Sequence, residues 1–289
     1  MTARRAGCLI DALFLAVLIH GVGAADVVGD DEAREVGIVR EMLAGHGHWP
    51  AYNGETIPDK PGYHAVLQNR MQKDGKLNDV WVMGNNNVQA GANINGEIGP
   101  GYRNPANFVV VSDPYPTVTA RAADLILPAA MWAEEEGTVT NLEGRVIRRR
   151  RGKPPPPGVK TDIEIMCELA SRLGRRRYFH YANVEEIFNE LRRASQGGVA
   201  DYSGVTWRKI EANQGVYWPC PDEAHPGAPR LFEHSFPTSS GRARFHAVRH
   251  AAAGEEPDDE YPLFLTTGRL MAQYQSGAQT RPIAKLGGM

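Results

Sequence analysis
The chain has 289 residues, 42% hydrophobic and 23% charged, a balance that fits a globular protein of one or two domains and excludes disordered or collagen-like chains. Its formal net charge of -2 gives no bulk attraction for nucleic acid or an anionic membrane. With 31 Gly and 20 Pro it is rich in loops, and its three cysteines, far apart and without a CxxC pair, argue against a disulfide framework or zinc-type site.

Arg4 and Arg5 precede an apolar run at residues 12–19, and Gly23-Ala24-Ala25 offers a small-residue cleavage site. Residues 1–32 therefore read either as a signal-like segment, faintly of the twin-arginine kind, or as the edge of a truncated domain. Asp11 and His20 bound the run, which at about eight residues is too short to span a bilayer. His46 and His48 flank Gly47 with no third ligand nearby, which argues against a metal there.

From residue 33 to 175 helical and strand-like stretches alternate. After Pro61, residues 62–74 place Val66, Leu67 and Met71 at helical spacing. Val80-Trp81-Val82-Met83 is an apolar run stopped by Gly84 and three asparagines. Phe108-Val109-Val110-Val111 stops at Ser112-Asp113-Pro114, and Leu125-Ile126-Leu127 stops at Pro128. Short continuous apolar runs between helices predict parallel strands buried on both faces, hence an α/β, doubly wound, mostly parallel sheet.

Pro154-Pro155-Pro156-Pro157 is extended, and Thr161 with Glu164 forms a capping box that starts a helix ended by Gly174. Asn183 with Glu186 caps another, reaching to about Arg193. Residues 176–260 read as a helical and loop-rich connecting region whose part from 201 to 250 has few periodic runs. Tyr261-Pro262-Leu263-Phe264-Leu265 predicts a new strand, so that 261–289 begins a truncated second domain.

Ligands of open α/β sheets bind at the carboxyl ends of strands. Gly84-Asn85-Asn86-Asn87 and Ser112-Asp113 follow such ends, as does Thr267-Gly268-Arg269. Asparagine amides suit a purine or pterin edge, an Asp accepts from ribose hydroxyls or guanine donors, and a Thr-Gly-Arg turn suits a phosphate. The alternative is that these residues only make turns. Arg148-Arg149-Arg150-Arg151, without interleaved aromatics, reads as a solvated or phosphate-facing strand rather than a nucleic-acid patch.

Longer stretches add a resemblance. Ile57-Pro58-Asp59-Lys60-Pro61-Gly62-Tyr63-His64-Ala65-Val66-Leu67-Gln68-Asn69-Arg70-Met71 resembles the large subunit of periplasmic nitrate reductases. So do Asn85-Asn86-Asn87-Val88-Gln89-Ala90-Gly91 and Val111-Ser112-Asp113-Pro114-Tyr115-Pro116-Thr117. Trp132-Ala133-Glu134-Glu135-Glu136-Gly137-Thr138, Asn141-Leu142-Glu143-Gly144-Arg145, Tyr202-Ser203-Gly204-Val205-Thr206, Trp218-Pro219-Cys220-Pro221 and Thr266-Thr267-Gly268-Arg269 resemble assimilatory nitrate reductases. Both groups belong to the molybdopterin oxidoreductase superfamily. The resemblance covers about residues 33–286 and reads as an internal section of a catalytic subunit.

The resemblance implies a bis-molybdopterin guanine dinucleotide cofactor chelating molybdenum, and nitrate reduction to nitrite. By position, Asn86, Ser112, Asp113 and Asp162 hold one dinucleotide arm. Thr267, Gly268, Arg269, Leu270, Met271, Ala272, Gln273, Tyr274, Gln275 and Ser276 begin the domain that closes over it. Glu135 stands where the periplasmic pattern has lysine, which leaves its contact open. None of the three cysteines has the context of the family's [4Fe–4S] or molybdenum ligands, so no catalytic or metal residue is assigned and the isolated chain is expected to be inactive. The expected partners are the remaining portions of the subunit and an electron-donor protein, with no nucleic acid and no membrane span. The alternatives are a non-catalytic cofactor-binding or docking module and a formate dehydrogenase-like relative. The compartment stays open, with the cytoplasm favoured over the periplasm.

Overall fold
The computed structural model describes residues 63–198, 200–236, 238–266, 268 and 270–287. The signal-like segment 1–32, His46, His48, residues 57–62 of the first resembling stretch, Thr267 and Arg269 lie outside them. The chain divides into two compact units between Pro229 and Arg230.

In the first unit, helix α1 (Ala65–Lys73) starts where the His64 side chain accepts from the Leu67 N–H. Its buried residue is Gln72; of the three apolar residues at helical spacing Val66 is exposed, and Leu67 and Met71 are half-buried. The closest contact is made at the helix's carboxyl end. A Cβ on Gly101 would lie 3.1 Å from that of Gln72, and the Asn107 amide bonds the carbonyls of Gln72 and Gly101.

The three apolar runs form strands β1 (Asp79–Met83), β2 (Phe108–Asp113) and β3 (Leu125–Pro128), all parallel, in the order β1-β2-β3. The mixed α/β fold with a parallel sheet is thus as expected, and among the described residues the strand order shows no reversal. In register, Val80 pairs with Val109 and Val82 with Val111. Val82, Val109 and Val111 are buried with Ile98, Tyr102 and Ala120. These come from a π-helical turn (Ile94–Ile98) and from the short helices α3 (Gly99–Tyr102) and α4 (Val118–Arg121); helix α2 (Asn87–Ala90) follows β1. The expectation of burial on both faces is met in full by none of the three: β1 buries only Val82, Phe108 of β2 is exposed, and β3 departs furthest. Leu125 and Ile126 are 43% and 48% exposed, on a strand that, like β1, lies at an edge of the three-stranded order.

A second sheet, not expected from the sequence, is antiparallel: β4 (Gly137–Thr140), β5 (Arg145–Arg149) and β6 (Val216–Tyr217). Against it pack α6 (Val184–Ala194) and α7 (Trp207–Asn213), and α5 (Asp162–Arg172) precedes them in the chain; the three are started by Thr161, Asn183 and Thr206 side chains that accept from backbone N–H groups. Val146 of β5 is buried with Phe188, Tyr202, Val205, Ile210, Val216 and Cys220, so this core draws on residues either side of position 175. Gly204 is required here by close approach, since a Cβ would fall 2.0 Å from the Asp222 carbonyl oxygen.

In the second unit, residues 261–265 form no strand. They find no ladder partner among the described residues and stay exposed. Its described order is local: Phe232 stacks on Phe236, and Thr280 and the Leu286 carbonyl bond the Gln273 amide ahead of helix α8 (Ala284–Gly287). No helix among the described residues is long and apolar enough to cross a membrane.

Candidate functional site
Parallel strands aim their last residues at one edge of a sheet, and here that edge collects polar side chains. β1 ends at Gly84, whose φ of +56° suits glycine and whose N–H donates to the Ser112 carbonyl at 2.8 Å. Asn86 follows, buried; its Oδ1 accepts from the N–H and hydroxyl of Thr119 at 3.2 and 3.0 Å, tying the loop after β1 to the start of α4. Ser112 is also buried, and its hydroxyl accepts from the Trp81 indole at 2.9 Å.

The two aspartates differ from them. Asp113 ends β2; one carboxyl oxygen accepts from the Tyr115 N–H at 2.8 Å, its one hydrogen bond among the described residues. Asp162 opens α5. The chain reaches it because Lys160 bridges Ala129 in parallel, just past β3, and the Ala130 N–H donates to the Lys160 carbonyl at 2.8 Å. Thr161 then caps the helix, and the Glu164 carboxylate returns to the Thr161 N–H at 2.8 Å. The Asp162 carboxyl accepts no hydrogen bond from a described residue. Burial raises its pKa to about 6, Glu135 and Asp113 push the same way, and Arg149 opposes them. Burial also raises Asp113, against the Tyr115 N–H.

Next to Asp162 the acidic and arginine runs meet. Glu134 is buried, bonded by the Met131 N–H at 2.9 Å and by Lys153 at 2.9 Å, and these partners hold its carboxyl below the usual range. Glu135 accepts from Arg149 at 3.1 Å and from the Asp162 N–H at 3.2 Å. Glu136 lies 3.9 Å from Arg148, which lies over Trp207 and, with Arg150, also pairs with Glu211. Arg148, Arg149 and Arg150 are thus paired with carboxylates of their own unit.

The structure thus brings Asn86, Ser112, Asp113 and Asp162 to the carboxyl side of one sheet, where two bond internally and two keep carboxyl oxygens available. Such carboxylates fit a ligand that presents donors, as a guanine edge or ribose hydroxyls do. The segment at residues 267–276 belongs to the second unit. There Gly268, Leu270, Met271, Tyr274 and Gln275 are exposed, and Ala272, Gln273 and Ser276 are half-buried. The sequence places Arg149 only within a solvated or phosphate-facing strand and leaves the contact of Glu135 open. The offset of Glu134, Glu135 and Glu136 against the arginines of a following strand was the signal available. Cys220 is buried and Cys167 half-buried, and no His, Cys, Asp and Glu group suited to a metal occurs among the described residues.

Residues 5–172 match the molybdopterin oxidoreductase family. The chain is 39% identical over 282 residues to the assimilatory nitrate reductase catalytic subunit of Bacillus subtilis (strain 168), covering 92% of this chain and 39% of that protein. It therefore spans well under half the length of that curated relative. Among solved structures, acetylene hydratase from Pelobacter acetylenicus aligns with a TM-score of 0.36 and 23% identity, over 47% of this chain and 18% of the other. The family assignment rests on the first two findings.

Proposed function
This chain belongs to the molybdopterin oxidoreductase family, and from that premise we propose that its parallel-sheet edge holds the guanosine end of a molybdopterin guanine dinucleotide in a nitrate-reducing enzyme. The observation that carries the reading is the carboxyl pair of Asp113 and Asp162, both raised by burial, of which Asp162 accepts from no described residue and Asp113 only from the Tyr115 N–H. Guanine offers two adjacent N–H donors on one edge, and an ionised carboxylate accepts both. Adenine offers a ring acceptor at the same place, which a carboxylate repels. In this reading one aspartate takes the base and the other the base or ribose, while Asn86 and Ser112 keep the loops in place from behind.

When bound, the cofactor supplies the two-electron chemistry at molybdenum. The residues of the sheet edge bind and orient its nucleotide arm. Nitrate as substrate is supported by the name of the Bacillus subtilis relative. The [4Fe–4S] electron entry and an electron-donor protein belong to the same proposal.

Isothermal titration of the full chain at pH 7.5 tests it, with GDP as the probe. GDP binds and ADP binds at least about tenfold more weakly, since hydrogen bonds to charged groups contribute roughly 1.5–3 kcal/mol each. Asp113→Asn and Asp162→Asn each weaken GDP by about ten- to a hundredfold. Equal affinities for GDP and ADP, or variants that bind like the wild type, contradict the reading.

A further inference from the structure
Glu135 stands where three parts of the candidate site meet. Its Oε1 accepts from the backbone N–H of Asp162 at 3.2 Å, and its Oε2 accepts from Arg149 Nη2 at 3.1 Å. The two side chains of this ion pair are 16% and 18% exposed, so water screens it less than an ordinary surface pair. The N–H that it receives is one of the first-turn donors a helix leaves without an internal partner. The same residue carries the carboxyl that no described residue bonds. Arg149 is held on its other side by the Trp132 ring, 5.4 Å from the guanidinium carbon.

We propose that Glu135 is a positioning residue for the nucleotide site: by joining Arg149 of β5 to the first turn of α5, it fixes the Asp162 carboxyl at the sheet edge and keeps the Arg149 charge from pairing with it. The role rests on the reading of that edge as a guanine site. A guanidinium released beside Asp162 would occupy the oxygens that a base needs, so the bridge both places the acceptor and keeps it available.

The charged groups that face Asp162 are Glu135, Arg149 from β5 and Asp113 from β2. Glu135→Gln keeps an oxygen for the Asp162 N–H but removes a repelling charge and frees Arg149. Both changes favour ionised Asp162. The test follows GDP affinity of the full chain from about pH 4.5 to 8 and, without nucleotide, titrates the Asp162 carboxyl carbon by NMR. The wild type loses GDP affinity as the pH falls through about 6. E135Q moves that midpoint down by about one pH unit, with the carboxyl resonance following, and E135D returns it toward the wild type. An E135Q affinity midpoint that does not move overturns the proposal, because a merely structural role would weaken binding equally at every pH. Should the wild type bind no GDP while the E135Q titration still shifts, the guanine reading fails and Glu135's hold on Asp162 is upheld.

Discussion

Burial raises the Asp162 carboxyl to about 6, and the Glu135 charge adds to it. An unfolded aspartate titrates near about 3.9, so between roughly pH 4 and 6 the folded state holds a proton that the unfolded state has released. Stability therefore falls as pH rises across that window and stays lower above it. Asp162→Asn removes the ionised form and should stabilise the chain at pH 7 by on the order of 1–3 kcal/mol. The lost interaction with the helix dipole, about 0.3–1 kcal/mol, offsets part of this. Urea unfolding at pH 7 and near pH 4 checks it: the advantage is present at the first and nearly gone at the second. A variant no more stable at pH 7 would show that Asp162 is not held against its own ionisation. Since the same substitution should weaken GDP, this residue trades stability for an available acceptor. The strand end at Asp113 and the helix start at Asp162 were legible in the sequence as local patterns. The inward bonds of Ser112 and Asn86 were not, since their partners Trp81 and Thr119 lie 31 and 33 residues away.

α5 presents Asp162 from its first turn, and the capping box sets where that turn begins. Thr161 Oγ1 accepts from the Glu164 N–H at 3.3 Å while the Glu164 carboxylate accepts from the Thr161 N–H. Thr161→Ala should cost about 1 kcal/mol, and Thr161→Ser much less. Because the frayed turn carries Asp162, T161A should also weaken GDP, and titration of both variants reads this directly. Unchanged affinity in a destabilised T161A would separate the cap from the site. The box was readable because it is a local pattern, and the parallel strands because continuous apolar runs mark them. The β4–β5–β6 sheet was not. Arg145, Arg148 and Arg149 of β5 lie among only two apolar residues, and the strand is held by partners from Glu135 to Tyr217 that no local window contains. β3 misled in the opposite direction, since an apolar run does not reveal that its strand lies at an edge. α7 lay in a Trp- and Pro-rich stretch whose seven helical residues are too few to show a period.

Across the whole chain, apolar exposure is uneven. In the second unit Leu263, Phe264 and Leu265 are 85%, 70% and 96% exposed, and Leu270 and Met271 are exposed as well. A run of this kind on a polar chain favours association. Sedimentation velocity should therefore show concentration-dependent self-association that Leu263→Ser with Leu265→Ser reduces. A chain that is monomeric at every concentration would contradict this. Whether the carboxyl edge of the β1-β2-β3 sheet is a guanine nucleotide site is decided by a crystal structure of the chain with GDP. The base edge is expected within hydrogen-bond distance of the Asp113 or Asp162 carboxyl, with Asn86 and Ser112 still bonded to Thr119 and Trp81. A nucleotide seated elsewhere, with both aspartates untouched, would contradict it.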